Sequence, residues 1–113
     1  MTENFRLTRI PIEYKARYTL GEISGEGLIT DISEGGIALR VQHALMIGDK
    51  LHITSQITGD LTLDLTGEVR NIANNMAGIL IKEIDSKIKE RFLEHVNGML
   101  RMMNKSNREK YKL

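Results

Sequence analysis

The sequence predicts a mainly β protein, a small antiparallel barrel or sandwich of six short strands sealed by one C-terminal helix. Three observations predict it. Apolar residues recur at every second position in segment after segment up to Ile84, the period of a half-buried strand. Glycine, asparagine and aspartate interrupt that pattern roughly every 8–12 residues, the spacing of turns in small all-β domains. From Asp85-Ser86 onward the apolar period changes to three and four, that of an amphipathic helix.

Taken in order, residues 10–20 alternate strictly. Ile10, Ile12, Tyr14, Ala16, Tyr18 and Leu20 fall on one face, with Pro11, Glu13, Lys15, Arg17 and Thr19 on the other. Pro11 near the start suits a strand entry or an edge, because it has no N–H to give a central ladder. Gly21 and Gly25 bracket a turn, and residues 27–33 read as a second strand. Glu34-Gly35-Gly36 reverses the chain into a third strand over 37–41. Gly48-Asp49 opens a fourth over 50–57, with Leu51, Ile53, Ser55 and Ile57 on one face. After the hairpin signal Gly59-Asp60, residues 61–72 alternate through Leu61, Leu63, Leu65, Gly67 and Val69. Gly67 within that pattern marks a bulge or a close backbone contact. Asn74-Asn75 turns the chain into a sixth strand over 76–84, apolar enough to be covered on both sides. The helix has an Asp or Ser N-cap and an apolar face of Ile88, Phe92, Val96, Met99, Leu100 and Met103, ending near Asn104. Met102 lies off that face, where a methionine can serve a partner surface. The expected organisation is a flexible, Arg-bearing arm over 1–9, barrel and helix over 10–104, and a basic tail over 105–113 that frays.

Composition narrows the function classes. A chain of 113 residues holds one hydrophobic core. The net charge of +1 gives no global field toward nucleic acid or anionic membrane, and aromatics at 4% cannot build a stacking platform for single strands. Neither nucleic-acid binding nor membrane insertion is expected, since no stretch approaches the ~20 apolar residues of a span. With no cysteine and no apolar leader, a reducing, cytoplasmic setting is the expectation. His43, His52 and His95 fall in three different elements without metal-ligand spacing. No Walker loop, calcium loop or nucleophile elbow occurs. The chain reads as a binding module, not an enzyme, with no metal and no cofactor.

The informative segment is Asp31-Ile32-Ser33-Glu34-Gly35-Gly36, taken with Arg6 and Arg9 upstream. Here the chain resembles the PilZ family, whose signature is an R-x-x-x-R stretch before the first strand and a [D/N]-x-S-x-x-G turn between the second and third. Asp31, Ser33 and Gly36 match the turn at every specified position. The order of the later segments, from residue 48 through the helix, is also similar, so the resemblance covers nearly the whole chain. It implies a six-stranded antiparallel split barrel with a C-terminal helix. It further implies a bacterial receptor or adaptor for cyclic di-GMP, acting on a protein effector as a monomer or homodimer.

The implied contacts make chemical sense. Arginine forks onto guanine O6 and N7 and pairs bidentately with phosphate. A carboxylate such as Asp31 accepts from the guanine imino and amino edge, Ser33 adds a hydroxyl, and Gly35 and Gly36 let the backbone come close. The arm departs from the pattern. Arg9 matches the second arginine, but Phe5 stands where the first belongs, and Arg6 gives R-x-x-R instead. On an extended arm, one residue's shift points a side chain to the opposite side. Phe5 thus favours a second reading, a ligand-independent adaptor working through the helix and tail, while the intact turn favours the receptor.

Overall fold

The computed structural model describes residues 10–33 and 35–110, with side chains through Met102. The strands are β1 (Ile10–Leu20), β2 (Ile23–Ile32), β3 (Gly36–Arg40), β4 (Lys50–Gln56), β5 (Thr62–Ala73) and β6 (Met76–Ile84), followed by one helix, α1 (Ser86–Lys110). The strands close into an antiparallel barrel in the order β1-β2-β3-β6-β5-β4. Of the two architectures the strand pattern allowed, the chain adopts the barrel.

Two hairpins close through residues with left-handed backbone. Gly21 (φ 61°) lies between the paired Leu20 and Ile23, and Asn74 (φ 58°) between the paired Ala73 and Met76. Two-residue loops of this kind match the right-handed strand twist, and Gly and Asn tolerate that conformation best. β2 starts at Ile23, not at Gly27, so Gly25 lies inside a strand and not in a turn. The physical reason is close packing. A Cβ on Gly25 would stand 2.8 Å from the His43 ring and 2.9 Å from the Tyr18 hydroxyl, and one on Gly27 would stand 2.5 Å from the Arg40 carbonyl oxygen. Gly67 serves both uses the sequence suggested: the β5–β6 register shifts beside it, and an added Cβ would collide with the Ile79 side chain.

The barrel interior is filled by the alternating apolar residues. Tyr18, Ile29, Ile37, Leu39, Leu51, Ile53, Leu63 and Val69 are wholly buried. Ser55 is also inside, and its hydroxyl donates to the Lys15 carbonyl oxygen at 2.7 Å. That bond satisfies a polar group that burial would otherwise penalise. In β2 the inward period slips, since Ile29 and Ile32 are both fully buried although three positions apart. The β2–β3 register shifts between Ile29 and Asp31, and the β1–β2 register between Pro11 and Tyr14. The resulting bulge puts Thr30 and Asp31 together at partly exposed positions. On β6, Leu80 is half-buried, Ile81 packs against the core, and Lys82 and Glu83 are exposed, so the expected two-sided covering holds for only part of the strand.

Asp85 caps the helix, its carboxylate accepting from the Lys87 and Ile88 backbone N–H groups at 3.0 and 3.3 Å. Phe92 and Val96, each 1% exposed, are the helix residues fully within the core, and Tyr14 of β1 meets the His95 ring. The helix continues to Lys110 and does not stop near Asn104. No Gly or Pro follows Gly98, and Lys, Arg and Glu are good helix formers. Met102 is exposed, while the side chain of Met103 and positions 111–113 lie outside the described residues. No helix among those residues is long and apolar enough to cross a membrane.

Truncating Phe92→Ala empties a large buried site and should lower the unfolding free energy by about 3–5 kcal/mol. Met102→Ala, on a side chain 73% exposed, should change it by no more than about 0.5 kcal/mol. Urea unfolding followed by far-ultraviolet circular dichroism reads both.

Candidate functional site

The hexapeptide 31–36 forms the β2–β3 connection at one rim of the barrel, as the sequence indicated. Asp31 ends β2 half-buried, with its backbone opposite Pro11 on one side and Ala38 on the other. Ser33 is 6% exposed. Its backbone N–H donates to the Gly36 carbonyl oxygen at 2.9 Å, and its hydroxyl donates to the same oxygen at 3.3 Å. The first distance is normal for N–H···O. The second is long for O–H···O, where about 2.7–2.8 Å is typical. The N–H bond therefore holds the turn, and the hydroxyl is only loosely committed.

The two glycines are built into the wall. Gly35 accepts from the Ile81 N–H at 3.0 Å, tying the turn to β6. Gly36 is buried, and a Cβ there would run into the Ile79 carbonyl oxygen. The absence of a side chain at Gly36 is required by the β3–β6 contact itself. Gly35 is exposed with open space where a Cβ would be, so of the two it is the one facing outward.

Arg6 and Arg9, like Phe5 between the sequence's start and β1, lie outside the described residues, and so does Glu34. β1 begins at Ile10, the residue after Arg9, and Ile10 pairs with Ile32. The chain thus enters the barrel directly beside the Asp31–Gly36 turn.

One polar group here escaped the sequence reading. The Thr30 hydroxyl oxygen is buried and has no hydrogen-bond partner among the described residues. It sits at the bulge, next to Asp31. The only sequence signal for it is the I-T-D-I spacing of Ile29 and Ile32, which breaks a period of two. The histidines stay apart. His52 contacts Asp64 at 2.7 Å on the outer face, His43 meets the Tyr18 hydroxyl at 2.7 Å, and His95 meets Tyr14. Among the described residues no three His, Cys, Asp or Glu side chains cluster to hold a metal.

Fold and turn together define a small β-barrel domain carrying a polar, glycine-bearing hairpin at its rim. The family model for the PilZ domain matches residues 3–98, and the chain belongs to that family. The fold is shared with several solved structures. The Bacillus subtilis inhibitor of motility, MotI/DgrA, superposes with a TM-score of 0.72 at 19% identity, over 86% of this chain and 50% of that one. The chain therefore spans half the length of MotI/DgrA. The PilZ domain of CeSA from a cellulose-synthesizing bacterium gives 0.66 at 20% identity, over 81% and 97%. The PilZ domain of Escherichia coli YcgR, solved with c-di-GMP, gives 0.68 at 15% identity, over 94% and 96%. No curated protein sequence matches the chain.

The geometry separates two roles within one motif. Gly36→Ala forces a Cβ onto the Ile79 carbonyl and should destabilise the ligand-free barrel by about 1–3 kcal/mol. Ser33→Ala loses only the long hydroxyl bond and should cost under about 1 kcal/mol. Thermal unfolding of the two variants tests the ranking, and equal losses would contradict it.

Proposed function

We propose that this chain is a cyclic di-GMP receptor module that passes ligand occupancy to a protein partner in the bacterial cytoplasm, as a monomer or homodimer and without catalysis. The observation that carries the reading is that β1 starts at Ile10, the residue after Arg9, and pairs there with Ile32 beside the Asp31–Gly36 turn. Arginines and a carboxylate–hydroxyl turn are the two chemistries needed for a cyclic dinucleotide with two guanines and two phosphodiesters. A likeness of fold to a PilZ domain solved with c-di-GMP supports it.

Each residue has a distinct part. Arg9, with Arg6 in place of the arginine that Phe5 displaces, supplies guanidinium to guanine or phosphate. Asp31 accepts from the guanine imino and amino groups. The loosely committed Ser33 hydroxyl (3.3 Å from its acceptor) swings to the ligand at little cost to the turn. Gly35 leaves its side of the turn open to a ligand, whereas Gly36 acts by fixing the turn against β6.

A second reading has its own observation. Because the Ser33 N–H, Gly35 and Gly36 are all used by the barrel, the turn forms with or without a ligand, as in a ligand-independent adaptor for motility, pilus or secretion machinery.

Calorimetric titration with cyclic di-GMP, with GMP and GTP as controls, separates the two. The receptor gives saturable heat for the cyclic dinucleotide alone, with a Kd in the micromolar range, about −8 kcal/mol. Asp31→Ala and Arg9→Ala each weaken it at least ~10-fold, as expected for loss of a charge-assisted contact. Restoring the full arginine spacing with Phe5→Arg adds a contact worth about 1–3 kcal/mol, or roughly five- to 150-fold. Absence of heat in the parent and in Phe5→Arg alike leaves the adaptor as the correct reading.

A further inference from the structure

A groove of about 740 Å³ lies away from the Asp31–Gly36 turn, and none of that turn's residues lines it. Its floor follows one row of side chains running across the strands and not along any of them. Thr62 of β5 pairs with Gln56 of β4, and Leu28 of β2 pairs with both Lys15 of β1 and Arg40 of β3. All of these except half-buried Leu28 are exposed on the outer face.

The groove exists because two strands part. β1 and β4 pair only from Arg17↔Thr54 to Thr19↔His52, and beyond Arg17 the ladder lapses. There the Ser55 hydroxyl reaches across to the Lys15 carbonyl and takes the place of a ladder bond.

Its charge is one-sided. Arg17 is balanced by Glu26 at 3.3 Å. Lys15 and Arg40 have no carboxylate within ion-pair distance among the described residues. They stand two strands apart, about 10 Å at the usual inter-strand spacing, with Leu28 between them. Two carboxylates spaced along an extended chain can each meet one of these cations, with an apolar side chain between them resting on Leu28. From Lys15 to Arg40 the row covers about 10 Å, the length of roughly three extended residues.

We propose that this groove docks an extended acidic segment of a partner protein, with Lys15 and Arg40 each taking a carboxylate and Leu28 an apolar residue between them. It does so independently of any dinucleotide at the turn. Recognition of acidic motifs by basic residues in a groove is a recurring peptide-binding mode, and the volume lies within the ~300–1,000 Å³ of ligand sites.

The test uses the full chain without dinucleotide and a fluorescein-labelled peptide, Glu-Ser-Val-Ser-Glu-Ser, with Gln-Ser-Val-Ser-Gln-Ser as the neutral control. Fluorescence anisotropy should show saturable binding of the acidic peptide, at least ~10-fold tighter than the control and weakened by salt. The double variant Lys15→Glu/Arg40→Glu should lose at least ~10-fold, while Lys82→Glu on β6, outside the groove, should change it less than ~2-fold. Lys15 and Arg40 are exposed, so the double variant keeps the barrel's circular dichroism. Equal binding of both peptides, or equal loss in the groove and β6 variants, would overturn the proposal. So would tighter binding of a short oligothymidylate through Lys15 and Arg40, which would assign the groove to nucleic acid.

Discussion

The close approach of Gly36 to the Ile79 carbonyl is the constraint on which the rest of the barrel depends. β3 is the shortest strand, from Gly36 to Arg40, and it alone joins β2 to β6, two strands far apart in sequence. A side chain at its first residue would press β3 away from β6 at that point, next to Ile37, which is wholly buried. That first residue also fixes Ser33, whose N–H and hydroxyl both converge on the Gly36 carbonyl oxygen. Closure of the barrel and presentation of the turn are one structural event.

That economy explains why a short motif marks the family so well. Of its three specified residues, Gly36 answers to the backbone of β6 and Ser33 to the backbone of Gly36. Asp31 lies at the rim, half-buried beside the bulge. A sequence can therefore keep the turn for the sake of the barrel while its arm drifts, and the arm here has drifted at Phe5. The turn by itself argues for the fold, and the arginines carry the argument for a ligand.

Much of this was legible in the residues. β1 and β6 fall where the alternation places them, the helix starts at its Asp cap, and Gly67 is both bulge and contact. Glycine has two uses that look alike in sequence. Gly25 reads as a turn because turns favour glycine, yet it makes room for the His43 ring and the Tyr18 hydroxyl. Gly36 also stands against the Ile79 carbonyl oxygen of β6, a packing use the sequence does not display. The helix end was misplaced because a polar tail without Gly or Pro continues a helix as readily as it ends one. The groove was not legible at all. It is a row across five strands, and its members from Lys15 to Thr62 become neighbours only through register.

Any relay from the turn to another surface has to work within a stiff body. The interior is close-packed apolar side chain, and such cores transmit strain but do not rearrange cheaply. The place least held by the ladder is the bulge, where the β1–β2 and β2–β3 registers both shift and the Thr30 hydroxyl is buried with no hydrogen-bond partner among the described residues. An unpaired buried hydroxyl costs about 1–3 kcal/mol, which is free energy that a small local shift can recover. The bulge lies between Asp31 at the rim and Leu28 in the groove, on the same strand. A contact made at Asp31 thus meets the irregular segment of β2 before it meets the regular ladder of the barrel. The strand's local geometry, and not a change in the core, is what this architecture leaves free to respond.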